Sequence, residues 1–301
     1  MNRLSAERAE RYADEAIDAL AGRRSAEFVS DLAVPVPLRI IADMLGVADG
    51  DLEQFRRWSD ALIIAGGGHA EEDVLDETHH LMADFLAYLT ETVEARRAHP
   101  GDDVLSRIIQ AAEAGVLDDS QRLLHLEGDE VRDFALFLLV AGNETTRNGI
   151  SQGMLALFEH PEEQQRLAAD DTLWKTAPDE ILRWTSPVRA MRRVALRDTS
   201  LRDRKILEGQ SVVMVYASAN RDEAVFDEPH RFRVDRSPNE HLAFGFGPHY
   251  CLGANLARME IRTVERRILK RLPGIRLAES GRPVPTPSAL IDGLEELPVE
   301  W

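Results

Sequence analysis

The sequence predicts a mainly α-helical protein with a few small β-sheets, an α+β arrangement, and three observations carry that reading. Apolar residues recur at helical spacing over most of the first 186 positions. Alternating, valine-rich sequence is confined to residues 192–219 and a few short stretches near the C-terminus. A single cysteine among 301 residues excludes an intramolecular disulfide, so a hydrophobic core must hold the fold, and 44% hydrophobic residues are enough to build one.

In chain order, residues 1–23 read as an amphipathic helix (Ala9, Tyr12, Ala13, Ala16, Ile17, Leu20) ended by Gly22. Residues 31–45 are apolar with two prolines and lead into a short helix. Residues 51–64 are helical up to the run Gly66-Gly67-Gly68, and residues 71–96 form a long helix closed by His99-Pro100-Gly101. Residues 102–114 are helical again, and 127–159 read as one helix, the longest, apolar at its centre. Pro161 starts another helix; Pro178 or Asp179 starts one more, ended by Pro187. Short strands follow over 192–219 with a turn at Glu208-Gly209. Residues 220–247 are irregular, a helix follows Cys251, and the Pro-rich tail holds a few strand candidates. With no repeat, low-complexity tract or flexible linker, residues 1–301 are expected to be one domain.

Composition narrows the partners. Lys and Arg number 36 against 53 Asp and Glu, a net charge of −17, which argues against nucleic acid. The longest apolar run, residues 134–141, is far too short to span a bilayer, and the charged first twenty residues are not a signal peptide. A soluble protein of a reducing cytoplasm without a membrane anchor is expected.

The chemistry gathers at residues 244–253, Phe-Gly-Phe-Gly-Pro-His-Tyr-Cys-Leu-Gly. Cys251 follows three loop-forming residues (Gly245, Gly247, Pro248) and precedes a helical pattern through Leu256, Met259, Val264, Ile268, Leu269 and Leu272. At a helix N-terminus, unpaired amides and the helix dipole favour a thiolate, the form that binds metals. A zinc site on His249 and Cys251 is the other metal reading, but it lacks paired Cys-x-x-Cys spacing or a second cluster.

This pattern, Phe-x-x-Gly-x-x-x-Cys-x-Gly, resembles the cysteine-ligand loop of the cytochrome P450 family, and the resemblance extends over the whole chain. It implies haem b with its iron held by Cys251, a thiolate whose electron donation favours O–O cleavage. Phe244 is then expected to pack beside the haem and shield the sulfur, with Gly253 completing the loop against the cofactor. Arg193, on the first strand after Pro187-Val188, and His249 are the expected partners of the haem carboxylates; Arg192 would face the other way.

Three further stretches match the family. Ala141-Gly142-Asn143-Glu144-Thr145-Thr146 resembles the oxygen-activation segment of its central helix: Ala141 and Gly142 make room over the iron, Glu144 is the acid and Thr145 the alcohol that handle protons. Its glycine and threonines are poor helix formers in any case. Glu180-Ile181-Leu182-Arg183 resembles the family's Glu-x-x-Arg helix, and Phe226-x-x-Pro229-x-x-Phe232-x-x-x-Arg236 supplies Arg236 as third member of a buried charge network that locks the cysteine loop. Finally Ala-Gly-Asn-Glu-Thr-Thr-Arg-Asn, Ser-Ala-Asn-Arg-Asp-Glu and His-Leu-Ala-Phe-Gly-Phe-Gly look most like members that hydroxylate sterol side chains and branched lipids, with residues 188–191 and 139–141 lining the pocket.

The activity implied is haem-thiolate monooxygenation of an apolar small molecule. One atom of O₂ enters a C–H bond, with electrons from NAD(P)H through a ferredoxin or similar donor and its reductase. Arg258, Arg262 and Arg266 are a plausible docking face. Family members normally carry an N-terminal portion before the point that matches Met1, so the resemblance implies a chain lacking that portion. The alternative it leaves open is a truncated, catalytically inactive haem-binding remnant.

Overall fold

The computed structural model of the chain describes residues 3–67, 72–117, 123–124, 128–288 and 290–301. The chain packs as two compact units, one of residues 2–19 and 30–147, the other of residues 20–29 and 148–301.

The first unit is helical. After α1 (Arg3–Asp18) the chain contributes one short strand, β1 (Ser25–Glu27), to the second unit. It then returns as α2 (Pro35–Leu45), α3 (Leu52–Gly67), α4 (Glu72–Ala98) and α5 (Val104–Ala114). The two prolines in residues 31–45 do not precede the helix. They sit in its first turn, where an amide hydrogen has no intrahelical partner. Arg96 at the end of α4 donates to the Gly46 carbonyl at 2.8 Å and to Asp103, the cap of α5, at 2.6 Å, so three helix ends share one guanidinium. Trp58 of α3 stacks on Phe85 of α4 (centroids 5.1 Å) and tilts against Tyr88 at 4.9 Å. A two-residue hairpin, β2 (Val116–Leu117) with β3 (Leu123–Leu124), follows α5.

The single helix expected over 127–159 is broken in two; its first residue, 127, lies outside the described residues. α6 (Gly128–Leu139) passes into one π-helical turn, Val140–Glu144, before α7 (Thr145–Glu159). The glycine and threonines weaken the ladder there, and packing decides the rest: a Cβ on Gly142 would sit 2.6 Å from Ile41 Cδ1 of α2.

The second unit holds most of α7, then α8 (Pro161–Ala169) and α9 (Ala177–Thr185). α9 stops at Ser186, left-handed at φ 47°, one residue before Pro187. β4 (Ala190–Val194), β5 (Thr199–Leu201), β6 (Arg204–Ile206) and β7 (Ser211–Val215) make two nested antiparallel pairs, β4 with β7 and β5 with β6. The strand pattern expected to reach residue 219 ends at Val215, where a helical turn, α10 (Tyr216–Ala219), takes over. α11 (Ala254–Arg271) buries Met259, Ile261, Val264 and Ile268. After it come β8 (Arg276–Leu277), β9 (Val284–Pro285), β10 (Leu294–Glu296) and β11 (Pro298–Glu300); β11 pairs on one edge with β8 and on the other with β1.

Candidate functional site

The loop before α11 owes its shape to two left-handed glycines, Gly245 at φ 71° and Gly247 at φ 68°. A Cβ on Gly245 would also meet the His249 carbonyl at 3.4 Å. A single 3₁₀ turn, Gly247–His249, leads into Cys251, whose amide donates to the Phe244 carbonyl at 2.9 Å, while Gly253 forms the N-terminal boundary of α11. The Cys251 thiol is half-buried. Burial pushes its pKa up more than the Gly253 amide and Arg258 pull it down. The Gly253 amide at the head of α11 pulls towards the thiolate, but burial outweighs it, so coordination to a cation is what would draw off the proton.

Around the sulfur, Phe244 is buried whereas Phe246 and Leu252 are 84% and 85% exposed. Tyr216, next to the end of β7, lies beside this loop, since its hydroxyl would stand 3.6 Å from a Cβ on Gly245. β7 itself exposes Val213 and Val215, and its partner strand exposes Met191 and Arg193. The Arg193 guanidinium donates to the Arg192 carbonyl at 3.0 Å, and both Arg193 and His249 are exposed. One soft sulfur donor, bare aromatic and aliphatic side chains beside it, and exposed cationic side chains in the same unit fit a flat apolar cofactor with acidic edges. Among the described residues no group of three or more His, Cys, Asp or Glu could hold a metal, which leaves the zinc reading without a donor set.

Behind the loop, the structure brings Glu180, Arg183 and Arg236 together in the interior. Arg183 and Glu180 are fully buried, with Nε to Oε2 at 2.7 Å and Nη2 to Oε1 at 2.8 Å, and Arg236 Nε donates to the same Oε2 at 2.9 Å. The carboxylate also accepts the Arg233 amide at 2.8 Å and the Asn239 amide group at 3.1 Å. The two guanidiniums spend their other hydrogens on main-chain carbonyls: Arg183 on Asn220 and Pro229, Arg236 on Asp227, Glu228 and Arg231. The irregular stretch 220–239 is thus fastened to α9 by charge-assisted bonds in place of regular structure.

In the first unit, Glu144 closes the π turn and Thr145 opens α7. The Thr145 hydroxyl donates to the Ala141 carbonyl at 2.6 Å. Glu144 is buried beside Arg147, whose Nη2 donates to Oε1 at 3.1 Å and whose Nε lies 2.8 Å from Oε2. Arg147 also faces Asp60 of α3 at 4.0 Å, and burial raises the Asp60 carboxyl above its ordinary pKa. Asn143 donates to Ser59 at 2.6 Å, tying the turn to α3. Sequence reasoning missed Arg147, although its position one turn after Glu144 was a readable i,i+3 signal.

The three arginines expected to form a face on α11 differ in their pairing. Arg258 is half-buried, pairing with Asp179 and lying over the Phe244 ring. Arg266 pairs with Asp171 at 2.9 Å, and Arg262 is exposed.

A mostly helical fold, with one thiol presented from a glycine-shaped loop and a buried Glu–Arg–Arg network behind it, defines the haem-thiolate class. The family profile described as Cytochrome P450 matches residues 69–273. A steroid C26-monooxygenase of Mycolicibacterium smegmatis is 38% identical over 290 residues, 96% of this chain and 70% of that protein. A methyl-branched lipid omega-hydroxylase of Mycobacterium tuberculosis is 41% identical over 280 residues, 92% of this chain and 63% of that one. Among solved structures, CYP109E1 of Bacillus megaterium in complex with testosterone superposes with a TM-score of 0.89 at 32% identity, covering 98% of this chain and 78% of that one. The chain belongs to the cytochrome P450 family, whose enzymes are monooxygenases, and the family and fold expected from the sequence are those found. No helix among the described residues is long and apolar enough to cross a membrane.

Proposed function

We propose that this chain is a haem-thiolate monooxygenase that inserts one atom of O₂ into a C–H bond of an apolar substrate, with haem b held through Cys251. The observation that carries it is the 244–253 loop, which presents the only cysteine of the chain half-buried at the head of α11. The cofactor supplies the reductive activation of O₂. Cys251 would hold its iron, Phe244 would pack on the sulfur side, Arg193 and His249 would receive the carboxylates, and the small residues Ala141, Gly142 and Gly253 would leave room for the macrocycle.

Glu144 and Thr145 handle protons. With its hydrogen committed to the Ala141 carbonyl, the Thr145 hydroxyl turns its lone pairs outward and can accept from a water. Arg147 keeps the Glu144 carboxylate oriented, ready to pass on a proton taken from solvent. The steroid and branched-lipid relatives support a sterol or methyl-branched lipid as substrate. Electrons come from NAD(P)H through a ferredoxin or similar donor and its reductase. A single cysteine suits a reducing cytoplasm.

The reduced, carbon monoxide-bound absorption spectrum of the purified chain tests the reading. The red-shifted thiolate–CO band is expected in the wild type and lost in Cys251→Ser; a wild type without that band contradicts it. Glu144→Ala and Thr145→Ala are expected to keep the band while product formed per O₂ consumed falls by about tenfold or more. Full coupling in both variants would remove the proton role assigned to this pair.

A further inference from the structure

Two adjacent carboxylates in the first turn of α9 divide the work beneath the cysteine loop. Glu180 holds residues 220–239, as described. Asp179 reaches the next segment: its Oδ1 accepts from His241 Nε2 at 2.9 Å and from Arg258 Nε at 2.6 Å. His241, with a side chain 2% exposed, receives the Ala243 amide on Nδ1 at 3.2 Å, which assigns the remaining proton to Nε2 and aims it at Asp179. The guanidinium carbon of Arg258 lies 4.6 Å from the centroid of the Phe244 ring, and the His241 ring packs on the same phenyl at 5.7 Å. The carbonyl of Phe244 receives the Cys251 amide, and the Arg258 charge acts on the Cys251 sulfur.

An uncompensated guanidinium beside a thiolate would draw electron density from it; Asp179, paired with that guanidinium at 2.6 Å, balances it. We propose that Asp179, through His241 and Arg258, is a positioning and charge-balancing residue for the thiolate: it seats Phe244 against Cys251 and sets how strongly the sulfur donates to the iron. The inference rests on Cys251 being the iron ligand.

The experiment is spectroelectrochemical titration of the haem-loaded full chain, with the carbon monoxide spectrum recorded beside it. Asp179→Asn keeps size and hydrogen-bonding atoms but leaves the Arg258 charge unbalanced. The reduction potential should rise, so that the ferrous-to-ferric ratio at a fixed applied potential increases several-fold. Arg258→Met removes the positive charge and should shift the potential the opposite way, and the double variant should return towards wild type. Where Arg258→Met fails to retain haem, Arg258→Lys serves: charge is kept, and a potential near wild type against a raised one in Asp179→Asn is expected. A brace that is only structural would move both single variants in one direction or neither, and that result overturns the inference. A wild type lacking the thiolate–CO band removes the Cys251 reading and this brace together; a normal band with unchanged potentials in every variant removes the brace alone.

Discussion

Glu180→Ala is expected to unfold the second unit or leave it only marginally folded. The side chain accepts two bonds from Arg183, one from Arg236, one from the Arg233 amide and one from Asn239, and it is fully buried. Removing it strands two guanidiniums in the interior, and Arg183 has no exposed surface through which water could reach it. Breaking a buried pair by deleting one partner costs about 3–5 kcal/mol, and two pairs are broken here. Whole domains are stable by about 5–15 kcal/mol, so the loss takes a large share of what there is. Urea unfolding followed by circular dichroism should show a midpoint displaced far to low denaturant, or no soluble protein. Arg231→Ala is the contrast: its pair with Glu228 is exposed, and a change within about 1 kcal/mol is expected. A Glu180→Ala midpoint close to wild type would mean that the network is ornamental and that 220–239 is held by packing alone.

That network also marks how far the sequence was legible. Glu180 and Arg183 at i,i+3 have the spacing of an ordinary solvated pair. What makes them interior is Arg236, delivered by a segment without periodicity, and the carbonyls of that segment, which no side-chain pattern announces. Long amphipathic helices such as α4, α5 and α11 were readable because apolar spacing is a local property. The π turn was half-readable: composition showed a weak ladder at Gly142, but Ile41, a hundred residues earlier, supplies the packing that goes with it. β1 was unreadable, since three residues near the start pair with three at the very end, Ser25 opposite Glu300, and Ser25–Glu27 carries no strand pattern by itself. Arg258 shared its spacing with Arg262 and Arg266, so helical periodicity could not single out the one that pairs with Asp179 over the Phe244 ring. Cys251 was found by its motif, while the sign of its pKa shift depended on burial, which the motif does not encode.

Two acids that no motif flagged give the second large effect. Glu260 and Glu265 lie on the inner face of α11, 2% and 0% exposed. Among the described residues, neither Glu265 oxygen, nor Oε2 of Glu260, has a hydrogen-bond partner, and Glu265 presses on α7: a Cβ on Gly153 would stand 2.4 Å from its Oε1. Burial alone pushes Glu260 up to about 8 and Glu265 well above the ordinary carboxylate value. Burial thus keeps both protonated to higher pH in the folded chain than in the unfolded one, which releases those protons near 4.5, and Glu260 stays mostly protonated at neutral pH. Between these values the native state holds more protons than the unfolded one, so stability must fall as pH rises from about 4.5 to about 8 and, for Glu260, level off above that. A shift from 4.5 to about 8 corresponds to an upper bound of about 5 kcal/mol at the alkaline end, reduced in practice by relaxation and water entry. Glu260→Gln keeps the neutral shape at every pH, so it should leave stability near pH 5 almost unchanged, raise it at pH 8, and flatten the slope. Glu265→Gln should flatten the slope independently and in the same direction. Urea midpoints of the wild type and both variants across that range decide the matter: parallel slopes in all three would show that these carboxyls ionise as freely in the folded chain as in the unfolded one, and that water reaches the inner face of α11.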